Sequence, residues 1–317
     1  MLGSPLSIIR LFHRSCPCSS LSTMKDEIKI LAEDREHGAS ELARRSLALL
    51  AERAQTSPAT TCGDLIAELN LLADQFRQIR PSIAPVQNLV GRWQSLLSRF
   101  PQEEVVSLRP KIVALAQQLQ DQSQQAVTAI ARQTAALVGR GATVMTHSLS
   151  STVVASFKLL KDQGVDAIIT ESRPLLEGCR LARKLSEWGI ATTLITDAQM
   201  GLFVGKAKGV VVGADTLLKD GSVINKAGTL LLALAARHQN IPFYVASETF
   251  KRVSASPTQA QLEEKAPEEL ALESPPGITL RNIYFDITPP NLISAYITEQ
   301  GIYRQASKLP FYNNARE

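Results

Sequence analysis

The chain has 317 residues, of which 44% are hydrophobic and 20% charged, a balance typical of a soluble protein with one large or two ordinary domains. A formal charge of +4 and an aromatic content of 5% argue against nucleic-acid binding, which needs basic patches and stacking rings. No apolar run approaches the roughly 18 residues of a transmembrane helix, so no membrane partner is expected.

The first 24 residues differ in composition from the rest of the chain. Residues 1–25 contain Arg10, His13 and Arg14 among six serines, and they lack acidic side chains. This composition fits an organellar transit peptide. We favour the alternative of an upstream start codon, with Met24 as the initiator, and predict that residues 1–24 stand outside the fold.

The four cysteines are scattered in a way that predicts neither disulfides nor a metal site. Cys16 and Cys18 are too close in sequence for a normal bridge, and no His or Cys neighbours complete a ligand set. A reducing compartment follows, and we expect a cytoplasmic protein without a metal or another cofactor.

Residues 25–138 predict an all-helical domain. Apolar residues recur at three-to-four spacing up to a break at Ser57-Pro58, after which Thr60, Thr61 or Asp64 can cap a second helix. That helix is predicted to end at Arg80-Pro81-Ser82. Two more follow over Pro85–Phe100 and Glu103–Val138, and the glutamine-rich part of the last is interpreted as a solvated face.

Residues 139–317 have a different periodicity, with short apolar runs separated by amphipathic stretches. The runs are Ala142–Met145, Asp166–Ile169, Ala191–Ile195, Gly209–Val212 and Phe243–Ala246. Such runs, alternating with helices, are typical of parallel strands buried on both faces. The fold class predicted is therefore α/β, with a Rossmann-like, doubly wound parallel sheet after the helical domain. Asn282–Ile287 is predicted to add a late strand to this sheet, and Ser254–Pro276 to form an exposed excursion.

Polar residues follow every predicted strand. They are Thr146-His147-Ser148, Thr170-Glu171-Ser172-Arg173, Thr196-Asp197, Gly213-Ala214-Asp215 and Ser247-Glu248. Ligands of open parallel sheets bind at these carboxyl ends. Helix capping accounts for part of this polarity, because Ser, Thr and Asp are favoured caps. Capping explains Arg173 and Asp215 less well, so these two are candidate ligand contacts.

Asn225 and Lys226 are the next candidates. A turn at Gly221 brings them back beside Asp215, and we expect them to begin a helix, a position that suits an anionic phosphate. The alternative for Lys226 is an ordinary surface lysine. For His147, the alternative to ligand binding is a buried, hydrogen-bonded histidine.

Several well-known nucleotide and hydrolase motifs are missing from the sequence. It has no Gly-x-Gly-x-x-Gly, no Gly-x-x-x-x-Gly-Lys-Ser/Thr and no Gly-x-Ser-x-Gly. This argues against a nicotinamide dehydrogenase, a P-loop enzyme or an α/β-hydrolase.

At these residues the sequence resembles the family that contains the α, β and δ subunits of translation initiation factor 2B. The same family includes isomerases acting on methylthioribose 1-phosphate and ribose 1,5-bisphosphate. The matching segments are 146–148, 171–178, 194–197, 212–215, 225–229, 242–245, 285–290 and 297–301. Shorter matches in the helical domain are His37-Gly38-Ala39-Ser40 and Arg80-Pro81-Ser82.

The resemblance implies a helical N-terminal domain, a Rossmann-like C-terminal domain and a homodimer or higher oligomer formed through the latter. It implies that His37, Gly38, Ala39 and Arg80 contribute to a phosphate pocket. In the isomerases, a cysteine after the Thr-His pair works with the aspartate of Gly-Ala-Asp. Asp215 matches that aspartate, but Ser148 occupies the cysteine position, and a hydroxyl is a far weaker acid than a thiol.

Three functional hypotheses follow from this resemblance. The first is a regulatory protein of the initiation-factor-2B type that binds a phosphorylated sugar or nucleotide. In it, Arg173, Asn225 and Lys226 contact the phosphate and Asp215 contacts sugar hydroxyls. The second is an aldose-ketose isomerase with Asp215 as base and Ser148 in a positioning role. The third is a structural dimer partner with a vestigial pocket.

Overall fold

A computed structural model describes residues 19–34, 37–80, 83–100 and 103–310. The expectations for residues 1–18 and for Pro81-Ser82 lie outside the described residues. In the described part, no helix is both long and apolar enough to cross a membrane.

The N-terminal region is helical, as predicted. Its helices are α1 (Ser19–Glu33), α2 (Ala39–Thr56), α3 (Cys62–Gln78), α4 (Ala84–Leu97) and α5 (Val105–Val138). The predicted cap of the second helix is confirmed at Thr61, whose hydroxyl accepts a hydrogen bond from the amide of Asp64 (3.2 Å). Two details differ from the prediction. Before Ser57 the chain forms two helices, α1 and α2, where one was predicted. In addition, α1 begins at Ser19, within residues 1–24, which were expected to lie outside the fold.

The second region is built on a mostly parallel sheet, which confirms the predicted fold class. Its strands are β1 (Thr143–Thr146), β2 (Asp166–Thr170), β3 (Thr192–Ile195), β4 (Gly209–Val212), β7 (Phe243–Ala246), β9 (Ala295–Thr298) and β10 (Gly301–Tyr303). They lie in the order β10-β9-β7-β4-β1-β2-β3, and only β10 is antiparallel to its neighbour. The strand order reverses at β1. The chain continues from β1 to β2 on one side of it, whereas β4 pairs with β1 on the other side. A crevice for a ligand is expected at such a switch point.

Helices cover this sheet. They are α6 (Ser151–Leu160), α7 (Glu177–Glu187), α8 (Met200–Phe203) and α9 (Thr229–His238). The five predicted apolar runs agree with β1, β2, β3, β4 and β7 to within one residue at each end.

A small second sheet lies beside the large one. It consists of β5 (Thr216–Leu217), β6 (Val223–Lys226) and β8 (Phe285–Thr288), in the order β5-β6-β8 with antiparallel pairing. The late strand predicted for the parallel sheet is β8, so that assignment was wrong. Asn225 and Lys226 end β6 and precede α9, rather than beginning a helix.

The helical region and the small sheet share one hydrophobic core. Leu218, Ile224 and Phe285 belong to the same buried cluster as the helical residues Leu47, Phe76 and Trp93. The small sheet therefore connects the two regions through packing.

Candidate functional site

A pocket opens where the helical region meets the carboxyl ends of the large sheet. Its empty space is about 770 Å³ when the solvent at its open mouth is included. Its polar lining comprises Asp34, His37, Arg80, His147, Ser148, Ser150, Ser151, Glu177, Arg180, Asp215, Asn225, Lys226, Lys251 and Tyr284. All the predicted site residues except Arg173 are among its lining residues.

Two helix N-termini meet at one side of this pocket. Gly38 is the N-cap of α2 and Ser150 the N-cap of α6. They are so close that a β-carbon on Gly38 would stand 3.7 Å from the amide nitrogen of Ser151. The first amides of a helix have no partner within it and carry a partial positive charge. Gly38, Ala39, Ser150 and Ser151 thus form a surface suited to an anion, which we call the anion cradle.

Gly213 permits the close approach of β4 to this cradle. A β-carbon at Gly213 would lie 2.3 Å from the hydroxyl of Ser150, which no packed side chain can tolerate. Only glycine fits here, and its small size brings the following residues, Ala214 and Asp215, to the pocket floor.

Carboxylates or carbonyls hold two of the lining cations, Arg80 and Lys226, in place. Arg80 donates to the carbonyl of Asp34 (3.2 Å) and to the carboxylate of Glu263 (3.4 Å). Lys226 pairs with Glu177 (2.7 Å), and its ammonium lies 4.2 Å from the centre of the Tyr284 ring. Pairing of this kind fixes the direction of long side chains that would otherwise be mobile.

Lys251 is tied to a buried network behind the cradle. Its ammonium donates to the carbonyl of Ala214 (2.8 Å) and pairs with Glu248 (2.9 Å). Glu248 in turn accepts hydrogen bonds from Ser40 of α2 (2.7 Å) and from Thr152 of α6 (3.3 Å). Burial alone would raise the pKa of Glu248, but Lys251 and Ser40 hold it below its ordinary value. The ionised carboxylate therefore connects the first turns of α2 and α6 to the loop after β7.

Asp215 has the most unusual environment of the predicted residues. Its backbone amide donates to the carbonyl of Ile224 across the β5–β6 hairpin (2.9 Å). Within the described residues its carboxylate has no hydrogen-bond or ion-pair partner. Burial raises its pKa, and the nearby charges of Lys251 and Lys226 oppose that shift only in part. A carboxyl group with a raised pKa can exchange a proton closer to neutrality.

Ser148 lies beside the cradle in a left-handed backbone conformation, with φ of 66°. Its amide donates to the hydroxyl of Ser172 (2.7 Å), which fixes the loop after β1. Because the Ser148 side chain lines the same pocket as Asp215, the two predicted catalytic candidates are brought together.

His147 has the hydrogen bonds of a buried structural histidine, the alternative considered from the sequence. Its Nε2 lies 2.9 Å from the carbonyl of Ala227, and its Nδ1 lies 2.6 Å from the hydroxyl of Thr170. A carbonyl can only accept, so Nε2 carries the proton and Nδ1 accepts from Thr170. Burial lowers the pKa of the ring. His147 therefore lines the pocket as a neutral ring whose two nitrogens are already occupied.

His37 precedes the cradle and is held by neighbouring carboxylates. Its Nδ1 lies 2.8 Å from Asp34 and its Nε2 3.5 Å from Glu41. The ring is half-buried and reaches the pocket, as the resemblance implied.

Arg173 is not among the residues that line this pocket. Its side chain is exposed and donates to the carbonyl of Leu270, in the excursion that follows β7. Its backbone amide donates to Asp197 (2.8 Å), which anchors the loop after β2. Arg180, which follows on α7, lines the pocket instead and brings a positive charge to it.

Glu177, Arg180 and Lys251 are site residues that sequence reasoning missed. Glu177 and Arg180 are three apart on α7, and this spacing places them on one face of the helix. Lys251 follows β7 by five residues, in a short 3₁₀ turn that a strand-end search does not reach. The position of Glu177 at the end of the matched segment 171–178 was the available signal.

Comparisons with known proteins show the family to which this chain belongs. The model of the Initiation factor 2 subunit family matches residues 35–305. The chain belongs to this family. A putative translation initiation factor eIF-2B subunit 2-like protein of Pyrococcus abyssi is 37% identical over 272 residues, which are 85% of this chain and 92% of that protein.

Another relative is an enzyme by name. The ribose 1,5-bisphosphate isomerase of Haloterrigena turkmenica is 31% identical over 295 residues, 88% of each chain. Among solved structures, the translation initiation factor eIF-2B of Pyrococcus horikoshii OT3 is 32% identical, with a TM-score of 0.78 over 91% of this chain and 99% of that one. The family resemblance seen in the sequence is thereby confirmed, and relatives of this chain include both initiation-factor-like proteins and sugar-phosphate isomerases.

Proposed function

We propose that this member of the initiation factor 2 subunit family binds a phosphorylated sugar or nucleotide in the pocket and acts as a regulatory protein. The observation that carries the proposal is the anion cradle, where two helix N-termini meet in a pocket that Arg80 and Lys251 also line. Free amides and nearby cations are the usual partners of a phosphate. Asp215 and Asn225 line the same pocket and supply acceptors for sugar hydroxyls.

A second function is supported by Asp215 itself. Its unpartnered carboxyl group and raised pKa suit a group that moves a proton between the first two carbons of a sugar. This favours an aldose-ketose isomerase acting on a sugar phosphate, with Ser148 positioning the substrate. The same features are compatible with binding alone, because a carboxyl group can also accept hydrogen bonds from hydroxyls.

Turnover separates these two functions. The purified protein is incubated with ribose 1,5-bisphosphate and with methylthioribose 1-phosphate, and ketose formation is followed while binding is measured by calorimetry. We expect at least one of these two sugar phosphates to bind, and neither to be converted. Conversion that is lost in Asp215→Asn and kept in Asp162→Asn, an exposed control, would establish the isomerase instead. If the protein bound neither sugar phosphate and no nucleotide, both proposed functions would be contradicted.

The regulatory part of the proposal concerns translation initiation in the cytoplasm. Family membership and the named relatives support it. The test is direct binding of the protein to purified translation initiation factor 2, with and without a sugar phosphate. No binding in either condition would limit the function to the small ligand.

We also propose a homodimer formed through the sheet domain. Leu202 of α8 and Leu231 and Leu234 of α9 are exposed apolar side chains on helices that cover the large sheet. Burying such side chains against a second copy would remove them from water. Sedimentation should show a dimer in the wild type and a monomer in Leu231→Glu/Leu234→Glu. A wild-type monomer at micromolar concentration would contradict this.

A further inference from the structure

Glu177 is a buried carboxylate in a pocket otherwise suited to an anion. It is the first residue of α7, only 8% of its surface is exposed, and one carboxylate oxygen pairs with Lys226 (2.7 Å). The other oxygen is buried and has no hydrogen-bond partner within the described structure. A buried unpaired acceptor of this kind is costly unless a ligand or a water satisfies it.

The pairing changes what Lys226 can do for a ligand. A free ammonium at this position would attract a phosphate, as the sequence predicted. With Glu177 at 2.7 Å, the pair has no net charge, and a phosphate brought to Lys226 would also meet a carboxylate. Repulsion between two anions a few ångströms apart is large where water is excluded.

The remaining charges in the lining point the same way. Among the described residues, the lining has four cationic side chains, Arg80, Arg180, Lys226 and Lys251, and three carboxyl groups, Asp34, Glu177 and Asp215. Two of these cations also pair with carboxylates outside the lining, Arg80 with Glu263 and Lys251 with Glu248. A lining with so little excess positive charge, together with the anion cradle, suits one phosphate better than the two phosphates of a bisphosphate.

We propose that the pocket accepts ligands with a single phosphate and that Glu177 is the residue that excludes a second one. This inference rests on the proposed function and narrows it to sugar monophosphates and nucleoside monophosphates. The phosphate lies at the anion cradle. The opposite end of the ligand presents hydroxyl or amino donors to the free oxygen of Glu177 and to Asp215.

Glutamine at position 177 is the informative substitution. It keeps the size and shape of the side chain and an acceptor oxygen for Lys226, while removing the negative charge. Glu187→Gln is the matched control, because Glu187 lies exposed at the other end of α7 and its replacement removes the same charge.

The test measures binding by calorimetry for ribose 5-phosphate, adenosine 5′-monophosphate and ribose 1,5-bisphosphate. We expect the wild type and Glu187→Gln to bind at least one monophosphate ten-fold or more tightly than the bisphosphate. In Glu177→Gln the preference should fall at least five-fold or reverse, because Lys226 becomes available to a second phosphate. The two monophosphates distinguish a bare sugar ligand from a nucleotide.

Two results would overturn the inference while leaving the proposed function intact. One is a wild-type protein that binds the bisphosphate as tightly as the monophosphates. The other is an unchanged preference in a Glu177→Gln protein whose circular dichroism and unfolding midpoint match the wild type. If the wild type binds none of the three ligands, the proposed function fails together with the inference.

Discussion

Asp286 is a buried carboxylate on β8 that closes the first turn of a neighbouring helix. One of its oxygens accepts from the amides of Gly228 (2.7 Å) and Leu230 (3.1 Å) at the start of α9, and the other has no partner within the described structure. Burial raises the pKa of Asp286 to about 6, although both amide hydrogen bonds oppose the shift. Charging this group in the folded protein therefore costs free energy.

We predict that Asp286→Asn stabilises the protein above pH 6. Between the ordinary pKa of 3.8 and about 6, the folded state binds more protons than the unfolded state, so the wild type loses stability as the pH rises through this window. Asparagine keeps an acceptor for the two amides without the charge. The gain should be small near pH 4 and reach up to about 3 kcal/mol at pH 7.5.

Urea unfolding at pH 4 and pH 7.5 measures this difference, with the exposed Asp162→Asn as control. An Asp286→Asn protein that is less stable than the wild type at pH 7.5 would show that the charge benefits the helix end more than its burial costs.

The residues of the pocket show which features of a site are readable from sequence. Asp215 and Ser148 line the pocket because they follow β4 and β1, and the carboxyl ends of parallel strands meet at one edge of the sheet. Asn225 also lines it, from β6 and not from the helix start that was expected. The position of Arg173 in the loop after β2 does not determine the direction of its side chain, which extends away from the pocket lining to the carbonyl of Leu270. The pairing of Lys226 with Glu177 joins residues 49 positions apart, which local patterns do not reveal.

At the scale of elements, the close packing of α7 on β2 depends on one residue without a side chain. A β-carbon at Gly178 would stand 1.7 Å from the carbonyl oxygen of Thr170, so α7 and β2 would have to move apart to accommodate it. This contact determines where α7 begins, and with it the position of Glu177 in the pocket.

We predict that Gly178→Ala lowers the free energy of unfolding by about 3 kcal/mol or more, because backbone on both sides must shift. Gly63→Ala is the matched control, since Gly63 lies in the first turn of α3 with open space around it. That variant should stay within about 1 kcal/mol of the wild type. Chemical unfolding of the three proteins makes the comparison, and equal stability of both variants would contradict the packing argument.

The parallel strands were predictable because runs such as Gly209–Val212 are apolar on both faces and lie between amphipathic helices. The strand that pairs with β8 could not be predicted from the sequence. An alternating strand reveals that one face is buried, but not which neighbour forms its hydrogen bonds. Here β6 returns through the turn at Gly221 and presents its free edge to β8, a pairing set by tertiary structure alone.

At the scale of the whole molecule, the helical region and the sheet region behave as one packed body. Ile224 and Phe285 of the small sheet belong to the helical core, and Glu248 links the N-termini of α2 and α6. The predicted boundary near residue 138 is thus crossed by both apolar and charged contacts. Sequence reasoning divided the chain where the periodicity changes, which is a property of local structure and does not report packing between regions.

We predict that both regions unfold together. The chain has two tryptophans, Trp93 buried in the helical core and Trp188 at the end of α7. In the variants Trp188→Phe and Trp93→Phe, the fluorescence of the remaining tryptophan reports one region at a time. Each variant should give the same urea midpoint by fluorescence and by circular dichroism, as expected for a cooperative unit. A separate, earlier fluorescence transition in either variant would show that the regions unfold independently.

The small sheet has a consequence for exchanging parts between relatives. One face of its hairpin fills the helical core through Leu218 and Ile224, while its ends carry Asp215 and Lys226 into the pocket lining. A chimaera that takes its helices from one parent and its sheet from another must therefore accommodate foreign side chains beneath this hairpin. The positions of Asp215 and Lys226 in the pocket would shift in such a hybrid even if every pocket residue were left untouched.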